Sequence, residues 1–221
     1  GFEHYLPTFN SCSIESMLHK IPNLSEQFVI FNDDTFLMSK TFPEDFFING
    51  KPVIRGKWEK YREHRTLRKL YYKIIHAKKV AHNKSKSFKH FQQAAARLVK
   101  NNSKKYLRRY HTPCSVRKST LEKFFKGTDL LENNIKYRFR NTNQFIISSL
   151  SEHLEISNNT YHFRSNTQLT YFRSYKKLYH TKTKLFSFKL KKNIFLTLQS
   201  LEMADKKNLN YILNWINKQL S

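Results

Sequence analysis

The stretch Phe28-Val29-Ile30-Phe31-Asn32-Asp33-Asp34 constrains the fold of this chain more than any other, because four apolar side chains run directly into an amide and two adjacent carboxylates. A short apolar run of β-prone residues, closed by turn-formers, reads as a buried strand interior to a sheet. At this length, periodicity alone also leaves a helical segment open. In open α/β sheets, ligands sit beyond the carboxyl ends of the strands, where Asn32, Asp33 and Asp34 would project.

The residues before this strand predict a helix. Asn10, Ser11 or Ser13 can cap it, Ile14, Met17, Leu18 and Ile21 form one apolar stripe, and Pro22 ends it. Glu15 and His19, four residues apart on a neighbouring face, read first as an exposed ion pair. After the acidic turn, Asn49-Gly50 joins Phe47-Ile48 to Pro52-Val53-Ile54 as a hairpin, and Pro52 suggests an edge for its second strand.

From Trp58 to about Lys105 the pattern reads helical. One stripe is Leu67, Leu70, Tyr71 and Ile74, another is Phe88, Phe91, Ala95, Leu98 and Val99, and Asn83 to Ser87 is the expected break. Pro113 then leaves His111 in a loop among cationic side chains. Ser119 and Glu122 read as a capping box, and Asn141 with Gln144 reads as the start of a helix carrying Phe145, Ile146, Ser149 and Leu150. Arg140 would thus stand just before a helix N-terminus, where guanidinium and free amides can converge on an anion. Residues 155–192 show short alternating runs without a clear order. Near the end, Asn193 to Leu198 reads as a strand, Asp205 as a cap, and Leu209, Ile212, Leu213, Ile216 and Leu220 as a buried stripe.

Charge narrows the range of partners. The chain of 221 residues has 41 Lys and Arg against 16 Asp and Glu, a formal net charge of +25. Twenty of those cations lie between Lys51 and Arg109 with only Glu59 and Glu63 for acids. Such a segment suits a polyanion, an anionic membrane face or a phosphate-bearing substrate, and equally a solvated basic helical hairpin. No zinc-finger spacing, basic-zipper heptad or RNA-recognition signature accompanies it, so nucleic acid is not the expected partner. Cys12 and Cys114 lack disulfide or metal spacing, which fits a reducing cytoplasm and two small buried residues. No apolar stretch reaches the length of a membrane span, and Gly1 opens the sequence without a leader pattern, as expected for part of something longer.

Several of these stretches, taken in order, carry a resemblance. Leu6-Pro7-Thr8-Phe9-Asn10-Ser11, Ile14-Glu15, Leu18-His19-Lys20-Ile21-Pro22-Asn23-Leu24-Ser25, Phe31-Asn32-Asp33-Asp34 and Phe42-Pro43-Glu44-Asp45-Phe46 together resemble the second conserved region of the Stealth phosphotransferases. His111-Thr112-Pro113, and Arg140 followed by Asn141-Thr142-Asn143-Gln144, are similar to the third region. Phe195 to Leu220 resembles the fourth, with Gln199-Ser200 where the family has an Asn-Asp pair. The family's first region falls outside this sequence.

The resemblance implies an α/β fold, the C-terminal part of a Rossmann-like or GT-A-like mixed sheet flanked by helices. Residues 1–55 and 107–221 would be two parts of a catalytic core around a basic helical spacer at 56–106. It implies transfer of a hexosamine 1-phosphate, or another sugar 1-phosphate, from a UDP-sugar to a saccharide hydroxyl, with release of UMP, in capsular or surface polysaccharide synthesis. Asp34 is then expected as general base or Mg²⁺ ligand, Asn32 as an orienting group, and His111 and Arg140 as the groups that bind or polarise the diphosphate. Asp33, Glu15, His19 and Arg109 are expected at the substrate, with Asp33 also supporting the turn. The implied partners are a nucleotide-sugar donor and an oligosaccharide or phosphate-linked polysaccharide acceptor, with the inner-membrane surface or a capsule assembly complex nearby. The implied location is cytoplasmic or peripheral at the inner membrane. The competing expectation is an inactive remnant of such an enzyme, or a basic module that binds nucleic acid or another polyanion.

Overall fold

The Asn49-Gly50 pair shows how directly local chemistry shapes this chain. Both residues adopt positive φ, 49° and 75°, the backbone that a two-residue hairpin turn requires and that Asn and Gly tolerate best. In the computed structural model, which describes residues 1–64, 87–99, 103–175 and 177–220, this turn joins β3 (Phe47–Ile48) to β4 (Lys51–Arg55). The other strands are β1 (Gln27–Ile30), β2 (Thr35–Leu37), β5 (Lys57–Lys60), β6 (Lys105–Arg108), β7 (Cys114–Arg117), β8 (His162–Arg164), β9 (Leu169–Phe172) and β10 (Phe195–Leu198). The α-helices among the described residues are α1 (Ser11–Ser16), α2 (Phe88–Leu98), α3 (Lys118–Phe125), α4 (Leu130–Ile135), α5 (Ile147–Ser157), α6 (Leu178–Leu190) and α7 (Lys206–Leu220). The fold is mixed α/β, and its described strands form sheets of two or three strands.

The chain forms two compact units. The first comprises Gly1–Phe28, Lys57–Arg109 and Val116–Tyr161; the second comprises Val29–Gly56, Tyr110–Ser115 and His162–Ser221.

In the first unit, helices α1 to α5 accompany the antiparallel ladder β5–β6. Asn10 caps α1 by accepting from the Cys12 amide at 3.2 Å. The expected apolar stripe does not face the core: Ile14 is 53% and Ile21 45% exposed. The buried face is Cys12, Ser13, Ser16 and His19, a mostly polar set that hydropathy cannot identify. Ser13 and Ser16 stay buried because they are hydrogen-bonded, whereas His19 packs on Phe125. The Asn134 amide donates to Ser16 Oγ at 2.8 Å, Ser13 Oγ donates to the Tyr137 carbonyl at 3.2 Å, and Gln144 Nε2 donates to the Asn134 carbonyl at 2.6 Å.

The helical expectation from Trp58 to Lys105 fails at both ends, where Lys57 to Lys60 pairs antiparallel with Lys105 to Arg108. Pairing decides the matter: Tyr106 and Leu107 are fully buried, and Arg108 reaches Glu59 at 2.7 Å across the ladder. The stripe at Leu67, Leu70, Tyr71 and Ile74 and the break at Asn83 to Ser87 lie outside the described residues, apart from Ser87, which precedes α2. In α2 the expected Phe91 and Ala95 are buried, and Phe88 is 38% exposed.

Two helix starts also differ from expectation. Helix α3 begins at Lys118, one residue before the expected cap, because Ser119 donates its hydroxyl to Glu26 at 2.5 Å instead of closing a box with Glu122. Asn141 and Gln144 do form the reciprocal local contact, Gln144 Oε1 accepting from the Asn141 amide at 2.8 Å, but α5 starts only at Ile147. Arg140 therefore does not sit at a helix N-terminus.

The second unit contains the sheet β2-β10-β9, with β10 antiparallel to β2 and parallel to β9. All four residues of β10 are buried, as a central strand covered on both faces requires. The parallel pair is joined through α6, whose Thr181, Leu185 and Phe188 are buried at helical spacing. Helix α7 adds Ile212 and Ile216, and Asp205 accepts from the Asn208 amide at 2.8 Å as its cap. Leu213 and Leu220 of the expected stripe are exposed. With Met38, Phe172, Leu196 and Leu198, these side chains form an apolar cluster in which each fully buried Leu, Ile or Phe contributes about 1.5–3 kcal/mol of transfer free energy.

The sheet β3-β4-β8 places β4 in the middle, so Pro52 does not mark an edge strand. The parallel pairing with β8 begins at Val53, one residue later, so the proline nitrogen is outside it. The strand expected at Phe28 to Asp34 is shorter and less buried than its composition suggested. Strand β1 ends at Ile30, pairs with β7 in a two-stranded ladder, and is followed by Phe31 at 40% exposure.

Candidate active site

The turn after β1 closes when the Thr35 amide donates to the Asn32 carbonyl at 3.2 Å, which sends the chain directly into β2. Asn32 and Asp33 are exposed at this turn and Asp34 is half-buried. Strand β10 fixes its far side, since the Leu198 amide donates to the Asp34 carbonyl at 2.9 Å. Side chains tie the same place together. Thr197 donates its hydroxyl to the His111 carbonyl at 2.9 Å and lies 2.8 Å from the Thr35 hydroxyl. A hydroxyl has one proton, so Thr35 is the donor of that pair, and it also lies 3.4 Å from Asp34 Oδ1.

This lattice brings together two residues separated by 79 positions: Asn32 Nδ2 lies 3.4 Å from His111 Nδ1. The imidazole stacks on Tyr171, with ring centroids 4.8 Å apart and planes 8° apart. The Tyr171 hydroxyl donates to Gln199 Oε1, and the Tyr175 hydroxyl donates to the Gln199 carbonyl at 2.9 Å. Burial is the chief cause that pushes both phenols above their ordinary range, Tyr175 to about 12, and the Asp34 carboxylate reinforces it. Asp34, His111, Tyr171 and Tyr175 thus occupy one electrostatic neighbourhood within the second unit. Sequence reasoning missed Tyr171, Tyr175 and Thr197. The first two lie in the stretch with no readable order, and Thr197 reads as just another residue of an apolar strand.

The remaining expected site residues belong to the first unit. Arg140 is exposed and donates to Ser11 Oγ at 2.7 Å, with its guanidinium 5.9 Å from the Phe91 ring. Glu15 is half-buried. Burial raises its carboxyl above the ordinary range, while the positive charges of Arg109 and Arg140 pull it the other way. Arg109 itself is 5% exposed and donates to Glu152 at 3.3 Å. His19 is fully buried and stacked on Phe125 at 5.4 Å, so the ion pair read for Glu15 and His19 is not what holds this ring. Burial lowers its pKa, and neither ring nitrogen makes a hydrogen bond of ordinary geometry.

Among the described residues, no three His, Cys, Asp or Glu side chains converge as a ready-made metal cage. The turn nevertheless offers hard oxygen donors at Asp33 and Asp34. Mg²⁺ is commonly held by one or two carboxylates together with substrate phosphate, so the donor chemistry fits that ion. No helix among the described residues is long and apolar enough to cross a membrane.

Comparison with known proteins gives a consistent result. Residues 2–54 match the family model described as Stealth protein CR2, conserved region 2. A capsular polysaccharide phosphotransferase of Streptococcus thermophilus is 38% identical over 73 residues, which is 33% of this chain and 31% of that relative. One from Actinobacillus pleuropneumoniae is 60% identical over 45 residues, 20% of this chain and 12% of the relative. One from Haemophilus influenzae is 60% identical over 43 residues, with the same shares of each chain. The matched part thus spans less than a third of each of these relatives.

Proposed function

The chain is a Stealth family member through its second conserved region at residues 2–54, and from that premise we propose that it is part of a phosphotransferase of capsular polysaccharide synthesis. In this reading a sugar 1-phosphate moves from a UDP-sugar to a saccharide hydroxyl. The observation that supports it best is the pairing of Asn32 with His111 beside Asp34, which joins residues of the second and third family regions in one unit.

The chemistry follows from these groups. The acceptor oxygen attacks the phosphorus that bears the sugar. The P–O bond to the nucleoside monophosphate breaks, UMP leaves with the bond's electron pair, and a phosphodiester remains. Asp34 takes the acceptor's proton, a role open to a carboxylate that is half-buried at the mouth of a turn. Asn32 orients the acceptor or the donor phosphate, and the His111 imidazole polarises the diphosphate. In the first unit Arg140 is assigned to anion binding, since a guanidinium matches the geometry of phosphate oxygens. Alternatively to its role as base, Asp34 would hold Mg²⁺, with Asp33 beside it, and the ion would neutralise charge on the phosphate oxygens. The small mixed sheets are, in this reading, the C-terminal portion of a Rossmann-like or GT-A-like core. The basic stretch from Lys51 to Arg109 would contact a phosphate-linked polymer or an anionic membrane surface, an attraction that salt screens.

The test is release of UMP and formation of a phosphodiester when the longest available form is incubated with UDP-N-acetylhexosamines, Mg²⁺ and an oligosaccharide acceptor. Asp34→Ala is expected to lower turnover about 10²–10⁴-fold. Full turnover in that variant would defeat the assignment of Asp34, and absence of UMP from a full-length form would defeat the enzyme reading.

A further inference from the structure

His111 is a useful catalytic group only if its ring is held in one plane and one tautomer, because the two imidazole nitrogens differ in what they can donate or accept. Three separate restraints converge on it. Thr197 pins its backbone through the carbonyl at 2.9 Å. Tyr171 lies face to face with the ring, 8° from coplanar. Asn32 meets one edge, at Nδ1.

Tyr171 is itself fixed at both ends. Its hydroxyl donates to Gln199 Oε1, and its carbonyl accepts from Lys184 Nζ at 3.0 Å. The parallel register of β9 and β10 sets Tyr171 beside Thr197, so the residue that fixes the ring plane and the residue that pins the backbone are ladder partners.

We propose that Tyr171 is a positioning residue for His111: its ring fixes the imidazole plane, so that Nδ1 accepts from the Asn32 amide and Nε2 carries the proton. Stacking fixes the plane but leaves two orientations related by a half-turn of the ring. The Asn32 contact selects between them. Any catalytic use of the ring rests on the phosphotransfer reading, whereas the tautomer and the stack do not.

The test therefore uses the full chain without turnover. Long-range ¹H–¹⁵N spectra of the ¹⁵N-labelled protein report which ring nitrogen of each histidine is protonated, and His111→Gln identifies the signal among the 10 histidines. Wild type is expected to show a single neutral tautomer with unprotonated Nδ1. Tyr171→Phe keeps the ring face and should retain it, while Tyr171→Leu and Asn32→Ala should lose it and give mixed tautomers. Asn32 is exposed at its turn, so its variant informs even if Tyr171→Leu fails to fold. A wild-type ring protonated at Nδ1, or an unchanged pattern in Asn32→Ala or in folded Tyr171→Leu, overturns the proposal. An intact pattern in a full-length form that releases no UMP leaves this proposal standing and defeats only the phosphotransfer reading.

Discussion

Two polar clusters, one in each unit, are built in opposite ways. In the first, Asn10, Ser13, Ser16, Asn134 and Gln144 are buried and bonded to one another and to the backbone. In the second, Asn32 and Asp33 are exposed, Asp34 and His111 are half-buried, and the side-chain contacts of Asn32 and Asp34 stretch to 3.4 Å. Short, mutual, buried bonds define one geometry and leave little capacity for anything else. Long bonds at an accessible turn leave donors and acceptors available to a substrate. The contrast separates motif residues that are tied into the fold from motif residues that stay accessible. Asn10 and Gln144 belong to the first kind, Asn32 and Asp34 to the second.

Substitution can break this contrast. Asp34→Ala, for all its expected effect on turnover, should move the unfolding free energy by only about 0.5 kcal/mol, as for a side chain with few contacts. A large drop in its urea midpoint would place Asp34 with the residues tied into the fold. Asn134→Leu should do the reverse. It strands the Phe145 amide and carbonyl, now bonded at 2.9 and 3.2 Å, and should cost about 2–4 kcal/mol in urea unfolding.

A third test uses pH. The His153 ring is fixed as neutral, with Nδ1 donating to the Ser149 carbonyl at 2.7 Å and Nε2 accepting from the Leu107 amide at 3.0 Å. Burial lowers its pKa below the ordinary 6.5. The unfolded chain therefore binds the proton more readily. This contribution to stability is full above about pH 6.5 and is lost as pH falls toward the folded value, with a slope of at most about 1.4 kcal/mol per pH unit. His19 is shifted in the same direction by burial, so urea midpoints of His153→Gln and His19→Gln across pH 5–8 divide the effect between them. A flat wild-type profile would remove both. A smaller loss than that of Asn134→Leu is expected from Ser119→Ala, about 0.5–1.5 kcal/mol, because the bond to Glu26 is partly solvated.

These contrasts also show what the sequence could reveal. Asn49-Gly50 identified its hairpin because the turn chemistry is local, and Asp205 identified the start of α7 for the same reason. The central strand β10 was readable from its unbroken apolar run. Strand β5 was not, because Lys57 to Lys60 becomes a strand only through a partner at Lys105 to Arg108. The same holds for β8 and β9, which become strands through parallel pairing with β4 and β10 rather than through a pattern of their own. At the candidate site, Asn32, Asp34 and His111 could be named from the resemblance to the family's ordered motifs. Tyr171 could not, since a ring that works by stacking has no spacing signature. The polar face of α1 was hidden for a related reason: hydropathy sees Ser13 and Ser16 as solvent-facing and has no knowledge of Asn134 or Gln144.

One consequence concerns the cysteines. Cys12 is 5% and Cys114 2% exposed, and one lies in each unit. A thiol reagent in native buffer can modify either residue only after its surroundings open, so each labelling rate measures a local opening equilibrium. The chain thus carries two native clocks. Single Cys→Ser variants would let each be read alone, and the ratio of the two rates would show which of the two units is the slower one to breathe.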